Sequence, residues 1–209
     1  MIMTADLSPH DTRLADHTLD AATTLFARHG PHGLGMASLT REIIERTGTD
    51  IIEFRRAFPT RLDLMYAVAL RSTRELVACQ ISDSSPSETP VTRLSHLIRR
   101  HIDHCWKHRT EEELRRTLLP TLRAIHPVRY RELSEQLRLY REHIREIIAD
   151  GVDEGRFCVA GPGIAAGTVL ETLESILNWY DPEGGLSLPE LGDVYVDLVI
   201  HHQLGCPRR

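Results

Sequence analysis

Apolar side chains recur every third or fourth position along nearly the whole 209-residue chain, and short breakers interrupt the rhythm. That spacing puts them on one face of a helix, and the alternation a half-buried strand needs is nearly absent. The pattern restricts the chain to an all-α fold of about nine helices. The first is expected from about Asp11 to His29, with Leu14, Leu19, Ala22, Leu25 and Phe26 on one face and Gly30 as its stop. A short helix follows from about Leu39 to Thr47, opened by Ser38 or Thr40 and closed by Gly48. Another begins at Asp50, which forms a capping box with Glu53, and it ends before Pro59. Thr60 and Asp63 open a long fourth helix to about Cys79.

The polar stretch SDSSPSETP, Ser82–Pro90, reads as a linker. Beyond it, helices are expected at about Val91–His108, Glu111–Ala124, Val128–Val152, Gly163–Tyr180 and Leu188–Leu204, the last opened by a Ser187–Glu190 capping box. The acids at Glu111–Glu113 read as a solvated helix start that favours the dipole.

The net charge of −5 argues against a basic coat or a polybasic membrane anchor, but a local patch is enough to bind nucleic acid. The four cysteines, Cys79, Cys105, Cys158 and Cys206, lack paired spacing and are expected as free thiols. The opening MIMTADLSPHD has neither the cationic nor the apolar region of a signal peptide, and no long apolar run follows. A cytoplasmic protein without membrane contact is expected. No GxSxG, P-loop, HExxH or GxGxxG motif occurs, so no enzyme is expected and no cofactor is implied.

Two short helices joined by a glycine turn and braced by a preceding helix describe a helix-turn-helix, whose second helix enters the major groove by its N-terminal end. Here that end presents Thr49, Asp50, Ile51 and Ile52, with Arg55 and Arg56 one turn later and Arg41 and Arg61 alongside. Arginines can reach phosphates or guanine edges.

The run TLDAATTLFARHG, then MASLTREIIERTG, then FRRAFPTRLDLMYAV resembles the opening of the TetR family of bacterial repressors over about Leu14 to Val68. The resemblance implies a DNA-binding domain over residues 1–60 and a helical ligand-binding and dimerisation domain over 61–209. It also implies that Thr40, Arg41, Thr49, Asp50, Arg55, Arg56 and Arg61 bind a near-palindromic double-stranded operator. Gly48, Phe58 and Leu64 keep the framework, whereas Asp50, Ile52, Arg55 and Ala57 depart from the residues usual in the family. Two readings follow: an unusual operator with Arg55 on phosphate, or a sensor with weakened DNA binding. The arginines at 41, 55, 56 and 61 favour the first.

The segment from Trp179, Tyr180 and Pro182 through Gly184, Leu186 and Ser187 is similar to the linker of a TetR subgroup, several members of which respond to acyl-CoA thioesters. The resemblance implies a small hydrophobic, acyl-CoA or steroid-like effector that releases a repressor from DNA. It also implies a homodimer. Ile176, Leu191, Val194, Leu198 and His201 lie at helical spacing for its interface.

In HIDHCWKH, His101, His104, Cys105 and His108 share one helix face. They read as metal ligands joined by a donor such as His143, as the polar end of an effector pocket with Tyr140 and His143, or as partly exposed histidines beside a buried cysteine. A metal-responsive regulator is the alternative function.

Overall fold

The computed structural model describes residues 9–82 and 87–208; within 9–15 only the backbone is described. Nine α-helices and no strand occur among the described residues. They are α1 (Pro9–His29), α2 (Met36–Thr47), α3 (Ile51–Ala57), α4 (Arg61–Ser82), α5 (Pro90–Lys107), α6 (Arg109–Ile125), α7 (Pro127–Asp153), α8 (Pro162–Glu174) and α9 (Leu188–Asp197). The all-α expectation holds. Leu14 and much of the expected linker, residues 83–86, lie outside the described side chains.

Two compact units form. The first holds residues up to Ser72 together with Thr110–Arg129, and the second holds Thr73–Arg109 together with Tyr130 onward. In the first, Leu19, Ala22, Leu25 and Phe26 of α1 are buried in the helical rhythm read from the sequence, with Leu39 and Ile43 of α2 and Phe54 of α3. Leu64, Val68 and Ala69 of α4 and Leu114, Leu118 and Leu122 of α6 are buried as well.

Two local differences appear in this unit. The second helix starts earlier than expected, at Met36, and its N-cap is extended Gly35 without a side-chain bond. Thr40 therefore sits inside the helix, where its hydroxyl donates to the Met36 carbonyl at 2.8 Å. Of the acids at the start of α6 Glu113 is exposed as expected, but Glu111 and Glu112 are buried: Glu112 is 1% exposed, and the Arg115 guanidinium donates to its Oε2 at 2.6 Å. Its Oε1 is buried without a partner.

In the second unit, Leu94, Leu97, Ile98 and Ile102 of α5 pack with Ile144, Ile147 and Ile148 of α7 and with Val169, Leu170 and Leu173 of α8. Gly151 lets the chain double back after α7. A Cβ there would meet the Phe157 ring at 2.1 Å, and the Gly151 carbonyl accepts from the amides of Arg156 and Phe157. The expected helix Gly163–Tyr180 closes early, with α8 giving way to a 3₁₀ turn over Ser175–Asn178. The last helix opens on the expected Ser187–Glu190 capping box, and beyond Asp197 it widens into π-helical Leu198–Gln203. No helix among the described residues is long and apolar enough to cross a membrane.

Candidate nucleic-acid interface and buried polar core

The turn between α2 and α3 is set by a few residues. Gly48 adopts φ +71°, a left-handed conformation that costs a β-carbon-bearing residue, and its amide closes α2 on the Ile44 carbonyl at 2.8 Å. Thr49 is buried, its hydroxyl 3.0 Å from that of Thr18 and 2.7 Å from that of Thr47. The link to Thr18 fixes the start of α3 against α1. Asp50 then caps α3, its Oδ1 accepting from the amides of Ile52 at 2.8 Å and Glu53 at 3.0 Å. Phe54, 1% exposed, is the anchor, and its ring lies 5.4 Å from that of Phe58.

With Phe54 turned inward, the rest of this seven-residue helix faces out. Ile52 is 74% exposed, and Arg55 and Arg56 are exposed beside it. Arg41 on α2 is exposed too. Among the described residues these three arginines have no carboxylate partner, whereas Arg46 on the same pair of helices lies 4.0 Å from Glu42. Arg61 is half-buried: one terminal nitrogen donates to the Leu34 carbonyl, and its Nε is enclosed without a partner.

The seven sequence-derived residues thus divide by environment. Arg41, Asp50, Arg55 and Arg56 are exposed; Thr40 and Thr49 are buried, and Arg61 is tied to the loop before α2. Ile52 is exposed on the same helix and was not among the seven. Its place two residues before inward-facing Phe54 is the signal that marks it.

The entry to α4 is held firmly. Asp63 Oδ2 accepts from the Thr60 amide at 2.7 Å and hydroxyl at 2.6 Å, while Arg129 lies 2.5 Å from Oδ1 and stacks on the Tyr66 ring. Burial alone would raise the Asp63 pKa, but the Thr60 bonds and the Arg129 guanidinium outweigh it, and the carboxyl is held below its ordinary value.

In the second unit the polar face of α5 splits in two. His101 and Cys105 are buried, each 1% exposed. The His101 ring bridges α5 and α7, with Nδ1 2.9 Å from the Tyr140 hydroxyl and Nε2 3.2 Å from the Cys105 thiol. His104 and His108 are half-buried, their rings stacked 4.3 Å apart. His143, one turn along α7 from Tyr140, has a buried Nε2 without a partner. Its pKa is lowered by burial and by the charges of Arg93 and Arg100, against the opposing pull of Glu146 and the Gln80 backbone. Among the described residues no three His, Cys, Asp or Glu side chains converge to hold a metal ion.

The expected interface residues separate as well. Ile176 and Leu191 are enclosed in the unit's own core, while Val194 is 51% and Leu198 37% exposed. His201 is half-buried, with Nδ1 2.7 Å from the Cys206 carbonyl. The aromatic linker is bonded throughout: Trp179 Nε1 donates to the Tyr195 hydroxyl at 3.1 Å, and the Tyr180 hydroxyl donates to the Leu186 carbonyl at 2.7 Å.

Residues 87–202, more than half of the chain, match the family described as "Tetracyclin repressor-like, C-terminal domain". No curated protein matches the sequence. Among solved structures, a regulatory protein of the tetR family from Rhodococcus RHA1 superposes with a TM-score of 0.79 at 19% identity, covering 94% of this chain and 99% of that one. The ketosteroid transcriptional regulator KstR2 of Mycobacterium tuberculosis gives 0.72 at 17%, covering 94% and 96%. AibR, solved in complex with isovaleryl coenzyme A and operator DNA, gives 0.72 at 16%, covering 90% and 98%. At these identities the likeness is one of fold.

Proposed function

The chain belongs to the tetracycline-repressor-like (TetR) family of transcriptional regulators, and from that premise we propose that it is a homodimeric repressor that binds a near-palindromic operator and is released by a small organic effector. The observation that carries the reading is the outer face of α2 and α3, where Arg41, Arg55 and Arg56 stand exposed and, among the described residues, without acidic partners around a helix fixed by Asp50 and Phe54. In a chain of net charge −5, cations left unpaired on one short helix pair supply the local attraction to phosphate that the whole molecule lacks. Ile52 offers an apolar contact of the kind that meets a thymine methyl. Thr40, Thr49 and Arg61 serve the site by holding the helices and the preceding loop.

The functional division is residues 1–60 for DNA and 61–209 for ligand and dimer. The effector is met by the His101–Cys105–Tyr140 cluster together with His104, His108 and His143, whose unpartnered ring nitrogen calls for a polar group. An apolar body with a polar end suits this surround, and an acyl-CoA is the first candidate because AibR was solved with one. The effector acts by favouring a conformation in which α4, an unbroken helix from Arg61 to Ser82, no longer holds the paired recognition helices at groove spacing.

The test is capture of genomic fragments by the purified protein, followed by fluorescence anisotropy on the enriched sequence with and without acyl-CoA thioesters. A sequence-specific complex that Arg55→Ala weakens, with a salt slope reduced by about 1, supports a phosphate contact. A change of sequence preference instead assigns Arg55 to a base. Failure to select any duplex at low salt sinks the repressor reading.

A further inference from the structure

A cleft of about 430 Å³ opens in the second unit where the start of α5, the turn after α7 and the C-terminal segment meet. Thr89, Val91, Arg156, His201 and Cys206 line it. Both backbone walls are fixed. The Gly155 amide donates to the Val152 carbonyl at 2.9 Å and the Arg156 amide to the Gly151 carbonyl at 2.8 Å. Across the cleft, the Cys206 amide donates to the Ile200 carbonyl at 3.0 Å.

The charges in this cleft do not balance. Arg93, Arg99 and Arg208 of the same unit each have an aspartate oxygen within 2.8 Å: Asp150, Asp193 and Asp197. Arg156 is half-buried, yet among the described residues it makes no ion pair and no carboxylate lines the cleft. The chain has 30 acidic residues against 25 basic ones, so a partner is not lacking for want of acids. None of its guanidinium nitrogens is sealed from solvent, so a cation that the protein leaves without a counter-ion can take one from solution. His201 supplies a second polar group. A carbonyl only accepts, so the 2.7 Å contact with the Cys206 oxygen places a hydrogen on Nδ1 and leaves Nε2 as the ring atom still able to bond.

We propose that this cleft binds a small oxyanion, a phosphate or carboxylate group, with the Arg156 guanidinium as the charged contact and His201 Nε2 as the second. Neutral His201 accepts from the hydroxyl of a hydrogen phosphate, and the protonated ring donates to a bare oxygen. The site lies wholly in the second unit and does not rest on the DNA-binding reading.

The full-length protein is titrated with sodium phosphate and separately with sodium acetate, each against sodium chloride of matched ionic strength. The readout is the nitrogen-15 and proton resonances of the Arg156 Nε–H and the His201 ring, with Asp197-paired Arg208 as internal reference. Saturable movement of both signals with phosphate or acetate, but not chloride, is expected, and the tighter arm identifies the oxyanion. Arg156→Gln is expected to weaken binding by about tenfold or more, and Arg156→Lys, which keeps the charge without the planar fork, by less. A thermal unfolding scan of each variant checks that it is folded; should Arg156→Gln not fold, Arg156→Lys and the chloride comparison decide. Signals that stay still in the wild type, or a His201 ring signal that moves equally in Arg156→Gln, overturn the site.

Discussion

Glu112 and Arg115 meet across one turn of α6 with side chains only 1% and 5% exposed. Two charges removed from water in this way offset much of their desolvation through each other, and the second oxygen of Glu112 is buried with no hydrogen-bond partner among the described residues. Arg115→Ala is therefore expected to cost about 3–5 kcal/mol in urea unfolding, because it strands the carboxylate. Replacing both, Glu112→Leu with Arg115→Met, is expected to regain most of that loss; an equally damaged double variant would show that the pair acts through other neighbours. Asp63 carries a pH dependence of definite sign. Its folded pKa is depressed, so its contribution is full above the unfolded value of about 4 and is lost as pH falls through the lower folded value. The melting temperature should fall on acidification below about pH 5, and Asp63→Asn should flatten that limb while lowering stability at neutral pH.

In the α2–α3 pair a single backbone angle sets the surface proposed to meet DNA. A Cβ on Gly48 would meet nothing within 4 Å, so the obstacle to a side chain there is the +71° φ alone. Gly48→Val is expected to lose about 1–2 kcal/mol and to weaken operator binding beyond that loss of folded protein, since α3 leaves from this turn. Gly48→Asn, which tolerates the left-handed region, should restore both, and anisotropy corrected for the folded fraction separates the effects. The turn itself was legible because Gly48, Asp50 and the apolar spacing all say the same thing. Exposure of Arg55 and Arg56 was expected from their place on the second helix of the pair, but that Phe54 is its buried anchor, with Phe58 only partly covered, was not. Burial of Thr40 and Thr49 was not expected either, because a threonine hydroxyl bonds as readily to its own helix as to solvent, and only α1 packed alongside decides it. For the same reason Glu111 and Glu112 looked solvated in sequence: a helix start rich in acids gives no sign that Arg115 will be buried with them. On α5 the shared face of His101, His104, Cys105 and His108 was readable, but its division into a bonded core pair and a half-buried stack depends on where Tyr140 of α7 falls.

The proposed repressor needs two copies of the chain to read two half-sites, and on that proposal the exposed apolar side chains of the second unit mark where they would join. Most of its large apolar side chains are enclosed, yet Val194 and Leu198 stand exposed four residues apart on the last helix. Ile176 and Leu191, at related positions in the pattern, are spent on the protomer's own core and have little surface left to offer. Val194→Asp combined with Leu198→Asp should place two charges on the shared face while leaving the packed core untouched. The expected result is a monomer by sedimentation whose unfolding free energy per chain stays within about 0.5 kcal/mol of a monomeric reference such as the dilute wild type. Operator affinity should fall far more than any loss of folding explains, because the second recognition helix then binds from bulk solution instead of at the high effective concentration set by its partner. A single half-site should be bound equally by both proteins. Persistence of the dimer in the double variant would move the interface off this face of α9, whereas a true monomer with undiminished affinity for the full operator would overturn the two-half-site reading itself.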